Sequence, residues 1–348
     1  MKTRLTILLL VGLAIRLILM PISLHPDIWA VIFSGKLFAY NGIINIYDYL
    51  SSISFTNNPL TVNYGPNFFY PPLAFFTFGL FSFLLKPFTN IDFISNLTVN
   101  LPYILSDNRL YWHLFIAKLP YLIYDFGSLY FLRKLFVDNG EKIIATTLWL
   151  FNPVVLYSTY LIGQFDIIPV FFSIISLYFA KKDRAYLSVL MMGIGGAYKM
   201  YPLFFIPLIA ILLGTNTRQK LQLGVVGLLP YLLTILPFMG SSAFRSVVLL
   251  SNQSQKILFA KIPVSGAEYL SVFVVGYIAL LIFSVFTKKS LWALCMAVLL
   301  LLFSVTHYHP QWFIWLAPFM VISAVIHKNI RWVISWLTFV LVIYFFYV

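Results

Sequence analysis

Long, unbroken apolar runs recur along almost the whole chain, and they leave it few folds to choose from. A run of about 20 apolar residues forms a helix that crosses a bilayer, because only a helix satisfies its own backbone hydrogen bonds in lipid. A transmembrane barrel would show short alternating segments separated by turns, which this sequence lacks. With 61% hydrophobic and 9% charged residues among 348, the apolar surface exceeds what one soluble core absorbs. The reading is all-α, a polytopic membrane helix bundle forming a single domain over 1–348.

The first run, up to Met20, follows Lys2 and Arg4 and ends in Pro21-Ile22-Ser23-Leu24-His25-Pro26. No small-residue cleavage site follows it, so it is expected to be a retained span. Further spans are expected over 113–132, 143–160, 166–180, 185–198, 202–213, 221–238, 267–286, 290–306, 311–326 and 331–347. That makes about 11 in all, within a range of 10–13. The 23 Lys and Arg outnumber the 10 Asp and Glu, a formal charge of +13. The positive-inside rule absorbs much of this excess, with no need for nucleic acid. Lys2 and Arg4, Arg133, Lys134 and Lys142, Lys181, Lys182 and Arg184, Arg218 and Lys220, Lys288 and Lys289, and Lys328 and Arg331 fall in alternate connections. These are read as cytoplasmic. The intervening connections, external by parity, hold the distinctive polar motifs.

Parity also makes 23–112 a first external loop region. Within it, 71–86 is bracketed by Pro71-Pro72 and Lys86-Pro87 and is short for a span, so it is expected to be interfacial or re-entrant. Trp29, Ile32, Phe33 and Leu37 give 28–40 a helical period, read as a second interfacial helix. The segment 239–266 is a second external loop, made basic by Arg245, Lys256 and Lys261, and suited to covering an anionic lipid headgroup. No internal repeat is evident. Gly193, Gly195 and Gly196 read as a close-packing surface between helices. The lone cysteine, Cys295, permits no intrachain disulfide.

Asp27 stands just after the first span, where it can cap the next helix, act as a general base, or do both. Asp166, behind Gly163-Gln164-Phe165, is open to the same two readings, a helix cap or a positioning carboxylate. Asp125 lies inside an apolar segment, where a carboxylate needs a partner; Lys118, seven residues earlier on about the same helical face, is the nearest candidate. Lys199 sits externally against the charge trend, before Tyr201 and Pro202, either snorkelling or serving as a point charge for a phosphate. His307-Tyr308-His309-Pro310-Gln311 offers hydrogen-bond donors to a phosphate. His-x-His with no carboxylate or cysteine partner is a thin metal signal, so no metal site and no cofactor are expected. Tyr64 to Pro72 is an aromatic approach to the membrane, an interfacial anchor or a wall for a sugar ring or lipid chain.

Together, an acid after the first span, Tyr70-Pro71-Pro72-Leu73, Gly163-Gln164-Phe165-Asp166, Lys199-Met200-Tyr201-Pro202 and His309-Pro310-Gln311-Trp312 followed by Trp315 and Pro318 resemble the GT-C superfamily of integral membrane glycosyltransferases. The chain looks most like its polyprenyl-phosphate-mannose-dependent mannosyltransferases. That resemblance implies a sugar donor on a polyprenyl or dolichyl monophosphate, transfer outside the cytoplasm, and inversion at the anomeric carbon. It makes Asp27 the general base and puts Lys199, His307, His309 and Gln311 near the donor phosphate. Gln164, Asp166, Tyr70 and Tyr201 are expected to bind or position substrate. Many relatives carry paired acids where His25-Pro26-Asp27 supplies one, which weakens the case for a required divalent metal.

The function expected is therefore a hexosyltransferase, most simply a mannosyltransferase. It acts on a glycan or glycolipid hydroxyl at the extracytoplasmic face of the plasma membrane, or of the ER membrane in a eukaryote. The rival is a multi-span transporter or lipid flippase, which would place charges at bilayer midplane within repeated halves.

Overall fold

A computed structural model describes residues 2–53, 68–99, 101–266, 268–287 and 290–328. The expected span 331–347, Lys288, Lys289, Arg331 and the Tyr64–Asn67 part of the aromatic approach lie outside the described residues. The fold is helical. The principal helices are α1 (Lys2–Leu19), α2 (Pro26–Ala39), α3 (Ile46–Ser52), α4 (Pro72–Leu84), α5 (Ile91–Val99), α6 (Arg109–Lys118), α7 (Tyr121–Lys134) and α8 (Asn139–Leu150). They continue with α9 (Ile167–Lys181), α10 (Ala185–Tyr198), α11 (Phe205–Leu213), α12 (Thr217–Ile235), α13 (Val272–Phe286), α14 (Leu291–Val305) and α15 (Ala317–His327). One antiparallel hairpin, β1 (Lys261–Ser265) and β2 (Glu268–Ser271), begins within the segment 239–266 read as a second external loop and ends beyond it.

Local chemistry sets these boundaries. Pro26 and Pro72 occupy first-turn positions, where a missing N–H costs nothing. Asp138, Asn152 and Asn216 cap the helices after them; the Asn152 carboxamide oxygen accepts from the N–H groups of Val154 and Val155 at 3.0 and 3.3 Å. The same punctuation divides the expected spans. Leu119-Pro120 splits 113–132 into α6 and α7, and Asn152-Pro153 breaks 143–160 with a 43° bend into a helix that ends in a π turn, Tyr157–Leu161. Among the described residues, Thr217–Phe238 is the one helix long and apolar enough to cross a bilayer, with the bent pair 139–161 as a second. Among the same residues, seven further apolar helices have 10–17 residues, about 15–25 Å at 1.5 Å per residue, and so fall short singly of the hydrocarbon thickness, while α1 has 18 and includes Lys2, Arg4 and Arg16.

Helix α2, read as interfacial, is covered by protein on most of its sides. Ile28, Trp29, Val31, Ile32, Phe33, Ser34, Gly35 and Leu37 are buried around most of its circumference, and it packs extensively on α4. Helices α9, α10 and α12 form the densest layer. Gly193 on α10 lies so close to α12 that a Cβ there would stand 1.9 Å from the carbonyl oxygen of Gly227, the close helix packing that the glycine cluster predicts. A single hydrophobic cluster runs from Met20 to Val325.

Asp125 has a partner other than the one the helical period suggests. It receives Nε of Arg16 at 2.5 Å, the indole N–H of Trp149 at 2.7 Å and the hydroxyl of Tyr160 at 2.6 Å, while Arg16 Nη1 reaches the carbonyls of Gly12 and Leu150. Arg16 and Asp125 are both fully buried, and their mutual charge and hydrogen bonds make that burial tolerable. Asp125→Leu is expected to cost about 3–5 kcal/mol, since it strands the Arg16 charge. Thermal unfolding in detergent measures this, and adding Arg16→Met in the same chain should recover a substantial part of the loss.

Candidate functional site

The connections read as external converge on one cleft of about 940 Å³. His25, Asp27, Tyr70, Gln164, Lys199, Tyr201, His309 and Gln311 all line it, joined by Lys256, Trp312 and Trp315. A second cavity, lined by Leu135, Glu141, Lys181, Leu213, Ser290 and Trp292 among others, gathers the connections read as cytoplasmic. The two sets share no residue.

Asp27 is held by two residues, His25 and Gln311. His25, the helix cap, accepts the Asp27 N–H through Nδ1 at 3.2 Å and stands 3.5 Å from the carboxylate. Capping therefore falls to the histidine, and the Asp27 carboxylate, in the first turn of α2, is free to face the cleft. Gln311 donates Nε2 to Asp27 Oδ2 at 3.1 Å, across 284 residues. Gln311 thus meets the carboxylate itself. Burial lowers the His25 imidazole pKa below its ordinary value; Asp27 opposes that shift and Lys118 adds to it.

The arm carrying Asp27 is anchored by Lys118. This lysine is completely buried and gives its ammonium protons to the carbonyls of Ser23, Tyr160 and Leu161 at 3.0, 2.9 and 3.0 Å. The Ser23 hydroxyl donates to the same Leu161 carbonyl. Just beyond comes Gly163, at φ +75°, whose carbonyl accepts from the Tyr121 hydroxyl at 3.1 Å. A Cβ at Gly163 would lie 2.6 Å from Ile28 and 3.0 Å from Lys118 Cε.

Past this turn, Asp166 occupies the cap position of α9, yet its side chain makes no capping bond. It faces Lys199 Nζ at 2.5 Å, with the carboxylate fully buried and the lysine side chain 10% exposed. The lysine is also boxed by rings, with Tyr70, Phe165, Trp312 and Trp315 centroids 5.3–5.6 Å from its nitrogen. Each such contact contributes about 0.5–2 kcal/mol, so four of them offset much of the several kcal/mol lost on desolvating the ammonium. Tyr201, Trp315 and Trp312 form a continuous stack, at 4.2 and 5.0 Å between centroids. Gln164 donates to the Tyr70 hydroxyl at 3.4 Å and accepts the Phe165 N–H.

Of the two expected histidines, only His309 lines the cleft; His307 lies beside it, with ring centroids 5.8 Å apart, and both are exposed. Burial lowers the His309 pKa, Lys256 and His307 push it the same way, and Asp27 pulls against them. Trp312, Trp315 and Lys256 line the cleft without being singled out as ligands by motif spacing, although Trp312 closes the His-Pro-Gln-Trp segment and Trp315 follows it. Among the described residues, no group of three or more His, Cys, Asp or Glu side chains is placed to hold a metal ion.

The Gly163 turn offers a test that separates crowding from backbone strain. Gly163→Ala is expected to cost well over 1 kcal/mol, because it meets both a positive φ and occupied space. Gly42→Ala, at φ +67° with nothing within 4 Å, should cost only the conformational part. Thermal unfolding of the two variants measures the difference.

Comparison with known proteins gives a family and one partial relative. No solved structure matches. GPI mannosyltransferase 1 of Kluyveromyces lactis is 27% identical over 135 residues, 37% of this chain and 33% of the relative, so the chain spans about a third of that protein's length. The model of the family described as GPI transamidase subunit PIG-U matches residues 52–322, from α3 to α15. That match covers well over half of the chain, and the protein belongs to the PIG-U family.

Proposed function

We propose that the protein is a membrane glycosyltransferase that moves a hexose, mannose in the first instance, from a polyprenyl or dolichyl phosphate to a hydroxyl of a glycan or glycolipid. The observation that carries this reading is a single carboxylate, Asp27, oriented by Gln311 and His25 on the wall of a roomy cleft with aromatic and cationic sides. The partial similarity to a GPI mannosyltransferase supports it. In this reading the chain crosses the membrane many times through short and broken helices, and the cleft opens away from the cytoplasm.

The chemistry asks little more of the protein. Asp27 takes the proton of the acceptor hydroxyl as that oxygen attacks the anomeric carbon from the face opposite the phosphate. The anomeric C–O bond breaks, its electron pair leaves with the lipid phosphate, and the configuration inverts. A phosphate already leaves readily, so what remains is to stabilise its growing charge with cations and donors. Lys199 and His309 stand on that side of the proposal. Tyr70, Gln164 and Tyr201 are the candidates for holding the sugar. Asp166, bound to Lys199, fixes the position of that charge.

The family description favours a second reading, in which the same cleft holds a glycolipid as part of a larger assembly and transforms nothing. Transfer of labelled sugar from a set of polyprenyl-phosphate sugars to a membrane glycolipid extract separates the two. Wild-type protein is expected to transfer, and folded Asp27→Asn to lose about 10²–10⁴-fold in turnover. Near-normal turnover by the variant rejects Asp27 as the base. Glycolipid binding by wild type with no transfer from any donor selects the second reading.

A further inference from the structure

The cleft contains two lysines, and they are not equivalent. Lys199 has its charge matched by Asp166 at 2.5 Å and its ammonium enclosed by four rings. Lys256, from the second external loop, has no carboxylate within ion-pair distance among the described residues, yet it is half-buried against the Trp312 ring at 5.1 Å. That burial lowers its pKa, an unfavourable position for a cation with no counter-ion. The other basic residues of the loop are placed differently. Arg245 is turned back onto the Met239 carbonyl, and Lys261 lies exposed on β1 beside Tyr269.

His309 lines the same cleft, with its ring 5.5 Å from that of Trp312, over which Lys256 also lies. The Lys256 charge disfavours protonation of His309, and an anion between them would favour the charged form of both. Around them, Phe204, Leu249, Ile257 and Leu302 give the cleft an apolar lining that suits a hydrocarbon chain better than a free ion. Asp27 and Gln311 line the same cleft and already bond each other.

We propose that Lys256, with His309, is the seat of the phosphate headgroup of a lipid-linked ligand in this cleft, and that Lys199, held in place by Asp166, is a second, fixed cation for it. This assignment rests on the lipid-phosphate reading above but concerns binding alone. A lysine suits the task as a compact point charge that can follow a phosphate through small displacements. Trp312 carries both ammonium groups over its ring, at 5.1 and 5.6 Å, and so reports on the site directly.

The test is a titration of the full-length protein in detergent with farnesyl phosphate, read by tryptophan fluorescence, without acceptor. Lys256→Gln is expected to weaken farnesyl phosphate binding about tenfold or more, the usual effect of losing a charged hydrogen bond, and to leave farnesol binding unchanged. Lys256→Arg should keep most of the affinity, and Lys261→Gln all of it. Equal farnesyl phosphate affinity in wild type and Lys256→Gln, or no binding by wild type, overturns the proposal. Inorganic phosphate competing as tightly as farnesyl phosphate overturns its lipid part. If Lys256-dependent binding holds while no sugar transfer is found, the transferase reading fails and this site stands.

Discussion

One buried ammonium group holds the site together. Lys118 is fully buried, and it meets the cost of that burial with three main-chain carbonyls from two distant segments. Ser23 belongs to the arm that delivers Asp27. Tyr160 and Leu161 close the π turn that precedes Gly163 and Asp166. The lysine therefore fixes the first acid relative to the second with no contact to either. The left-handed Gly163 completes the junction, because only a residue without Cβ lets the turn lie against Ile28 and the lysine stem. The positions of Asp27, Gln164 and Asp166 all follow from this joint.

Two ion pairs extend the same logic to the rest of the bundle. Arg16 and Asp125 link α1 to α7, and Trp149 and Tyr160 bring in the broken helix 139–161. Asp166 and Lys199 link the start of α9 to the end of α10. In so apolar a chain, hydrophobic matching alone would permit neighbouring helices to slide. A buried pair fails unless both partners meet, so it selects one register. The helices can then be short and interrupted, with their free backbone groups satisfied by caps such as Asn152 and by Lys118.

Much of this was legible in the sequence, and what was not has a common cause. Apolar periodicity and Pro or Asn punctuation place α9, α10, α13 and α14 within a few residues of their observed limits, and motif order anticipates that Asp27, Gln164, Lys199 and Gln311 share a cleft. Periodicity reports only neighbours on the same helix. It therefore suggests Lys118 as the partner of Asp125, whereas the true partner, Arg16, is 109 residues away. It likewise shows the apolar side of α2 without showing that α4 and others cover the remaining sides. Pro120 and Pro153 are visible in the sequence, but each sits within an apolar run that reads as continuous. Lys256 shares its loop with two other basic residues, and only the folded path of that loop distinguishes it.

Family membership fixes the kind of molecule and leaves the chemistry of its cleft to be decided. The central claim is that Asp27 directs a displacement at the anomeric carbon. The configuration of the newly formed glycosidic bond, read by NMR on product made from a polyprenyl-phosphate sugar of known anomeric configuration, tests it most directly. The account predicts complete inversion. A product with retained configuration, or release of free sugar with no glycoside formed, would contradict it.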